Sequence, residues 1–190
     1  MVRIPIGISN RHVHLSQIDA DKLFWKGHVF EAMKDLTQPG ERATKDTITI
    51  QWPKGEIEHV RVLMPVRKFT QVEVMIGDTF VLGIPPMIRI SGNLKGTPWI
   101  TLIWPAGEVN LAFGVIVAKR HLHCTVSDAK DLWLENGQNI KIKVWWERGL
   151  VFDNVEVRAE DRYALDCHID IEEANAAGLG AGAWGEIVNG

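Results

Sequence analysis

One short pattern occurs twice in this 190-residue chain and limits its fold more than any other feature. Arg11-His12-Val13-His14 returns as Arg120-His121-Leu122-His123, at an offset of 109 positions (120 minus 11). The same offset relates three further pairs of residues: Asp19 and Asp128, Ala20 and Ala129, and Leu23 and Leu132. A single repeat indicates a duplicated module rather than a solenoid, because a solenoid needs at least about three units.

Both copies of the pattern have the same surroundings. An apolar stretch precedes each pair of histidines, at residues 4–8 and 114–117. After each pair, a hydroxyl residue stands three positions before a carboxylate, Ser16 before Asp19 and Thr125 before Asp128. This spacing is typical of a helix N-terminus. Each copy is therefore predicted to be a strand with two histidines, a tight turn and a short helix.

The rest of the chain has the pattern of short β-strands. Apolar residues alternate with polar or branched ones in six segments, at residues 47–50, 60–63, 72–75, 88–90, 140–144 and 155–158. Many short strands separated by regular turns are typical of barrels or sandwiches rather than βαβ units. The sequence thus predicts a mainly β fold of two small β-barrel domains with short capping helices, at residues 1–92 and 93–190. The boundary is approximate, and a terminal strand that crosses to the other domain is compatible with the pattern.

Composition excludes several classes of partner. The formal net charge of -3 gives no general attraction to nucleic acid or to an anionic membrane, so neither is expected as a partner. No apolar run approaches the roughly 20 residues of a membrane-spanning helix, and the first residues lack the layout of a signal peptide. Two cysteines, Cys124 and Cys167, are too few for a disulfide framework and suit a reducing compartment. A cytoplasmic protein is therefore expected.

The duplicated histidines have the spacing of metal ligands. Residues i and i+2 of a strand point to the same face, so each His-x-His pair could chelate one metal ion. A catalytic site needs at least three protein ligands and an open position, which requires two more ligands. His168 is one candidate, because a helix start follows it as in the two His-x-His segments. Glu73 is the other, because an unpaired carboxylate would be costly in its otherwise apolar strand.

Other readings of these residues stay open. A single His-x-His is more often a surface or packed pair than a pair of ligands, and only its duplication favours metal binding. Cys124 follows His123 and Cys167 precedes His168, but adjacent strand residues point to opposite faces, so neither cysteine is predicted to be a nucleophile. Arg67, with the lysine after it, could hold a phosphate as a planar fork or could be a solvated loop cation.

Several ordered motifs together resemble the phosphate propanoyltransferase family, the phosphotransacylases of diol-utilising bacterial microcompartments and their cytosolic relatives. The resemblance covers nearly the whole chain. Its most specific stretches are SNRHVHLS at residues 9–16, DLTQPG at 35–40, RKFTQVE at 67–73, RHLH at 120–123 and RGLVFDNV at 148–155.

The resemblance implies transfer of an acyl group, propanoyl or acetyl, between coenzyme A and phosphate at two zinc ions per chain. It implies that His12, His14 and Glu73 hold one ion. It assigns the other ion to His121, His123 and His168, and it makes Arg67 the active-site arginine. Acyl-CoA and phosphate would be the partners of a homo-oligomer, expected to be a dimer. Microcompartment members carry an N-terminal extension, so a cytosolic-type member or one whose extension has been removed is expected.

Two other functions fit the same residues. A metal-dependent hydrolase would attack a thioester or another small substrate with metal-activated water, and would not require phosphate. A non-enzymatic module stabilised by metal would have closed sites with four ligands.

The tryptophans are the main departure from the family pattern. The chain contains eight, most of them in predicted turns beside glycine or proline, and the family resemblance leads us to expect glycine at several of these positions. Examples are Trp52, Trp104, Trp145 with Trp146, and Trp184. A large side chain at positive φ is strained by about 1–3 kcal/mol.

Overall fold

A computed structural model describes residues 2–188 of the chain as a mainly β protein with four short helices. The prediction of a mainly β, barrel-type fold with short helices is confirmed. None of the helices in this range has both the length and the apolar character needed to cross a membrane. The strands are β1 Arg3–Ser9, β2 His12–Ser16, β3 Ala32–Asp35, β4 Arg42–Trp52, β5 Gly55–Arg67, β6 Gln71–Val74, β7 Ile88–Arg89, β8 Ile100–Trp104, β9 Gly107–Leu111, β10 Val115–Ala118, β11 His121–Cys124, β12 Asn139–Lys143, β13 Val151–Ala159, β14 Asp166–Asp170 and β15 Trp184–Val188. The helices are α1 Gln17–Phe24, α2 Ile76–Leu82, α3 Val126–Asp131 and α4 Ile171–Ala177.

One compact unit contains a closed barrel. Among the described residues it comprises 2–10, 37–39 and 119–188. Its six strands follow the order β1-β14-β11-β13-β12-β15, and the antiparallel pairing of β1 with β15 closes the ring. Inward-pointing apolar residues fill the barrel, among them Ile4, Leu122, Phe152 and Val157. Their burial removes apolar surface from water, which is the main favourable term in folding.

The second compact unit contains a half-barrel sheet. It comprises residues 11–36 and 40–118. Eight strands follow the order β7-β10-β6-β2-β5-β4-β8-β9, and β3 pairs with β4 beside this path. Val13, Leu23, Ile48 and Leu102 lie in its core. The division of the chain into modules at residues 1–92 and 93–190 stays a prediction.

The strands of the two units alternate along the chain. The apolar strand β1 lies in the barrel, whereas β2, which follows it, lies in the half-barrel sheet. The apolar strand β10 lies in the half-barrel sheet, whereas β11, which follows it, lies in the barrel. Each His-x-His strand is therefore in a different unit from the apolar strand that precedes it.

The duplication extends to the neighbours of the His-x-His strands. Strand β2 lies between the parallel strand β5 and the antiparallel strand β6. Strand β11 lies in the same way between the parallel strand β13 and the antiparallel strand β14. Each of β2, β6, β11 and β14 runs directly into a helix, from α1 to α4 in chain order. The sequence repeat thus reflects two copies of one strand arrangement.

N-cap side chains begin three of the helices that follow these strands. The Ser16 hydroxyl accepts a hydrogen bond from Asp19 N in α1, and the Thr125 hydroxyl accepts one from Asp128 N in α3. The Asp170 carboxylate accepts one from Glu173 N in α4. Such caps satisfy backbone donors that have no partner inside the helix, which fixes where each helix begins.

Two of the eight tryptophans adopt backbone conformations that favour glycine. Trp25, which ends α1, has φ 61° and ψ 153°, a region that almost only glycine occupies. Trp133, after α3, has φ 57° and is 92% exposed. The other six tryptophans do not have positive φ. Backbone strain is therefore present at Trp25 and Trp133, and not at the tryptophans beside glycine or proline, such as Trp52 and Trp104, where the sequence predicts it.

Replacing Trp25 or Trp133 with glycine should stabilise the protein. Each change removes backbone strain on the order of 1 kcal/mol, and Trp133 loses almost no buried surface. Thermal unfolding should show each variant melting about 2–4 °C higher. Trp104→Gly is the matched control, because Trp104 lacks positive φ and packs against Phe24 at 5.5 Å between ring centroids. The control should melt lower, and a lower melting temperature for Trp25→Gly and Trp133→Gly would contradict the strain argument.

Candidate metal sites

The half-barrel sheet brings together His12, His14 and Glu73. The two histidines occupy alternate positions of β2, and the antiparallel register sets Glu73 of β6 opposite His12. His12 Nε2 lies 3.5 Å and His14 Nε2 lies 3.9 Å from the Glu73 carboxylate oxygens. One ligand atom from each residue lies within 4.8 Å of the others. All three side chains are nearly excluded from solvent.

The pKa shifts in this trio favour the protonation states in which His14 and Glu73 can bind a metal ion. Burial, the positive charge of His12 and that of Arg67 lower the pKa of His14 well below its ordinary value. Burial raises the pKa of Glu73, but His12, by charge and hydrogen bond, His14 and Arg67 together bring it below its ordinary value. At neutral pH His14 is uncharged with a free lone pair, and Glu73 is ionised. These are the forms that bind a cation.

The barrel brings together His121, His123 and His168 in the same arrangement. The histidines of β11 alternate along the strand, and the antiparallel register sets His168 of β14 opposite His121. His121 Nε2 and His123 Nε2 are 3.0 Å apart, and one nitrogen of each histidine lies within 4.8 Å of the others. The partition of the six candidate ligands is the one that the family resemblance implies.

A hydrogen bond sets the tautomer of His121, and burial lowers the pKa of His123 in this second trio. His121 Nδ1 lies 2.7 Å from the Lys119 carbonyl oxygen, so Nδ1 donates its proton and Nε2 keeps the lone pair. Burial, with the positive charges of His121, His168, Arg158 and Arg162, lowers the pKa of His123 to about 2. His123 is therefore neutral at any physiological pH.

Both trios have the donor set and spacing of a zinc site. Zinc–nitrogen bonds of about 2.0–2.1 Å in a tetrahedron place ligand atoms about 3.3 Å apart. The 3.0 Å between the β11 histidines and the 3.5 Å between His12 and Glu73 lie close to this value. The Nε2 atoms of His14 and His123 face the other members of their trios, whereas their Nδ1 atoms are buried without a hydrogen-bond partner. Three imidazoles, or two imidazoles and a carboxylate, fit zinc with one position left open.

Arg67 lies beside the first trio in a hydrogen-bonded network. It donates from NH1 to Ser91 Oγ at 3.0 Å and from NH2 to the Glu41 carboxylate at 2.8 Å. Gln71 Nε2 donates to Ser91 Oγ at 2.8 Å and to Glu73 Oε1 at 2.6 Å. Sequence reasoning missed Gln71, Ser91 and Glu41, because each is a single polar residue outside any repeated pattern. Of these three residues, only Gln71 could have been indicated by the sequence, because it lies two residues before Glu73 in the same strand.

The arginine before each His-x-His pair has a structural partner. Arg11 donates from Nε and NH2 to the Asp78 carboxylate at 2.8–3.0 Å. Arg120 donates from Nε to Glu173 and from NH1 to the Asp153 carbonyl. Asp78 and Glu173 also accept from the backbone at the starts of α2 and α4. Arg11 thus links β2 to α2, the helix that follows β6. Arg120 links β11 to α4, the helix that follows β14.

Neither cysteine has the environment of a nucleophile. Cys124 and Cys167 are fully buried in the barrel core. Burial and the negative charge of Asp128 raise the pKa of Cys124. Burial and the charges of Asp166 and Glu173 outweigh the opposing effect of Arg120 and raise the pKa of Cys167. Both remain protonated thiols, whereas nucleophilic catalysis needs a thiolate.

Two histidines lie outside the trios. The side chain of His59 is 83% exposed. His28 contacts Asp46 at 3.0 Å, and its ring packs against Phe24 and Phe30. Neither belongs to a group of three ligands among the described residues.

The chain is similar to known proteins over almost its whole length. The family model described as phosphate propanoyltransferase matches residues 5–180. A phosphate propanoyltransferase of Rhodobacter capsulatus is 48% identical over 176 residues, which cover 93% of this chain and 82% of the relative. That of Thermotoga maritima is 48% identical over 180 residues, 94% of this chain and 86% of the relative. That of Salmonella typhimurium is 46% identical over 176 residues, 92% of this chain and 83% of the relative.

Elemental analysis should find about two zinc-class ions per chain, one for each trio of ligands. His14→Ala and His121→Ala should each leave about one ion, because each change removes one of only three ligands. The double variant should bind none. His59→Asn is the control, since His59 is exposed at positive φ, which asparagine tolerates. Full metal content in His121→Ala, or none in the parent protein, would contradict the assignment.

Proposed function

Because this chain belongs to the phosphate propanoyltransferase family, we propose that it transfers an acyl group, propanoyl or acetyl, between coenzyme A and phosphate. The reaction is acyl-CoA plus phosphate giving acyl phosphate plus coenzyme A. The observation that carries the proposal is the match of the family model to residues 5–180, which include both histidine trios and Arg67.

We also propose that the trios hold two zinc ions. His12, His14 and Glu73 would bind one, and His121, His123 and His168 the other. Zinc supplies Lewis acidity toward carbonyl and phosphoryl oxygens and an affinity for thiolate sulfur, both of which acyl transfer from a thioester needs. Each trio offers three ligands rather than four, which favours an open position over a closed structural site.

Arg67 is suited to binding phosphate or a developing oxyanion. Its side chain is 32% exposed, so part of the guanidinium is accessible to a ligand. Its charge lowers the pKa values of both His14 and Glu73, which places it within electrostatic reach of the first trio. The ion pair with Glu41 and the hydrogen bond to Ser91 fix the orientation of its planar fork. Such a fork matches phosphate oxygens bidentately.

Ser91 adds a second polar group next to Arg67. Its hydroxyl oxygen accepts hydrogen bonds from Arg67 and from Gln71. The hydroxyl proton therefore remains available to donate to a phosphate oxygen. Arg67 and Ser91 together would offer donors to two oxygens of the same phosphate, which holds the nucleophile in one orientation.

Direct attack by phosphate needs no protein nucleophile. A phosphate oxygen would add to the thioester carbonyl carbon, and the carbon–sulfur bond would then break to release coenzyme A as a thiolate. The carbonyl oxygen gains negative charge in between, and preorganised donors such as Arg67 stabilise that charge. The buried, protonated thiols of Cys124 and Cys167 are compatible with this route.

The need for phosphate tests this function against metal-dependent hydrolysis. Coenzyme A release from propanoyl-CoA should require phosphate and should yield one acyl phosphate per coenzyme A. A hydrolase would instead release coenzyme A at the same rate without phosphate, with the free acid as product.

Changes at Arg67 should reduce turnover without loss of metal. Removal of one oxyanion donor typically costs about 10²–10³-fold, and we expect this loss for Arg67→Ala. Arg67→Lys should lose less, because a point charge replaces the bidentate fork. Kinetics at varied phosphate, paired with elemental analysis, measure both effects. Lys68→Ala is the control, because this neighbouring cation is exposed and lies 5.2 Å from the centre of the Phe69 ring. Parent-like rates in Arg67→Ala would exclude the role.

The double variant Cys124→Ala, Cys167→Ala should keep most of its activity. Both thiols are buried and protonated, so no acyl group should transfer to either. Mass spectrometry of the parent enzyme after rapid mixing with propanoyl-CoA should show no acylated protein. A trapped acyl group on Cys124, or a loss beyond about 10³-fold with full metal content, would indicate covalent catalysis instead.

A further inference from the structure

A buried carboxylate contacts one of the candidate ligands. Asp166 Oδ2 lies 3.0 Å from His168 Nε2. The two residues alternate on β14 and therefore face the same side of the strand. Asp166 is only 2% exposed, and within residues 2–188 its side chain makes no hydrogen bond other than the one to His168. A buried carboxylate without a partner would be costly, so this contact determines where the Asp166 carboxylate lies.

A second polar group faces the same nitrogen of His168. Thr37 Oγ1 lies 3.4 Å from His168 Nε2. Thr37 belongs to the DLTQPG motif, and its neighbour Gln38 is fixed to the barrel by two hydrogen bonds with the backbone of Ala164, at 3.1 and 3.2 Å. Two oxygen atoms thus surround Nε2. The proton of the neutral ring therefore belongs on Nε2, and the lone pair belongs on Nδ1.

A glycine on the adjacent strand makes room for this contact. Gly7 of β1 pairs with His168 in the parallel register. A Cβ atom at position 7 would lie 2.6 Å from Asp166 Oδ2 and 2.8 Å from His168 Cδ2. The φ angle of Gly7 is not positive, so the close approach of the pair, rather than backbone conformation, requires glycine there.

The other copy of the module has an equivalent contact. The registers place Gln71 opposite His14 and Asp166 opposite His123. Gln71 donates to Glu73, two residues later on the same strand, as Asp166 contacts His168 two residues later. In each copy, a candidate ligand forms a hydrogen bond with the residue two positions before it on the same strand. The carboxylate of this contact is the ligand Glu73 in the first copy, whereas in the second it is Asp166, beside the ligand His168.

We propose that Asp166 is a positioning residue that accepts the Nε2–H of His168 and leaves Nδ1 as the nitrogen that binds zinc. The metal-binding part of this inference rests on the proposed function. A carboxylate that accepts the other N–H of a ligating histidine fixes the tautomer and the ring orientation and makes the ligand more basic. Asp166 also adds negative charge next to the three imidazoles of this trio.

Two substitutions at Asp166 separate positioning from direct metal binding. Asp166→Asn keeps an oxygen that can accept the Nε2–H, whereas Asp166→Ala removes it. Chelator competition with zinc should show one of two ions bound about 10–100-fold more weakly in Asp166→Ala, and a smaller loss in Asp166→Asn, which keeps the acceptor but not the charge. Asp131→Ala is the matched control, because Asp131 is an exposed carboxylate in the same unit.

The tautomer of His168 can be read without metal. Nitrogen-15 correlation spectra of metal-free protein should show His168 with its proton on Nε2, and Asp166→Ala should lose this single tautomer. This result would stand even if the parent protein bound no zinc, which would refute the proposed metal sites alone. A proton on Nδ1 of His168, or parent-like zinc affinity in Asp166→Ala, would overturn the inference. Equal losses in Asp166→Asn and Asp166→Ala would also overturn it, because the carboxylate would then be a ligand.

Discussion

Both candidate metal sites depend on the pairing of one His-x-His strand with one antiparallel neighbour. Alternation along the strand puts two imidazoles on one face, and the register puts the third ligand opposite the first histidine. A slip of one residue in either pairing would turn the third ligand to the other face. The register is held at the strand ends, where Arg11 and Arg120 bind carboxylates that cap the helices after β6 and β14. Ligand geometry is therefore a consequence of backbone pairing and helix capping.

The sequence identifies all six candidate ligands because they lie in repeated or unusual positions, and the structure brings them together in two trios. The duplicated pairs have strand spacing, and Glu73 is a carboxylate in an apolar strand. Gln71, Ser91 and Asp166 could not be found in this way. Each is an ordinary polar residue whose role depends on a neighbour brought near by folding, such as the pairing that sets Asp166 opposite His123.

The architecture is predictable only in part for a similar reason. Alternating segments identify most strands, but they carry no information about which strands are partners. The half-barrel form of the second sheet depends on pairings such as β6 with β10 and β2 with β5, between strands well separated in sequence. The sequence predicts strain at tryptophans beside glycine or proline, whereas positive φ occurs at Trp25 and Trp133, which have neither neighbour. Which of the eight tryptophans adopt positive φ depends on how each preceding helix ends.

The alternation of strands between the two units has a consequence for synthesis. Strand β1 is made before all the other strands, yet its barrel partners β14 and β15 are made last. During translation the apolar face of β1, with Ile4 and Ile6, has no native partner until almost the whole chain has left the ribosome. By contrast, β4 and β5 form a local hairpin that can pair soon after it is made. The half-barrel sheet can therefore begin to form early on the ribosome, whereas closure of the barrel must wait until β14 and β15 have been made.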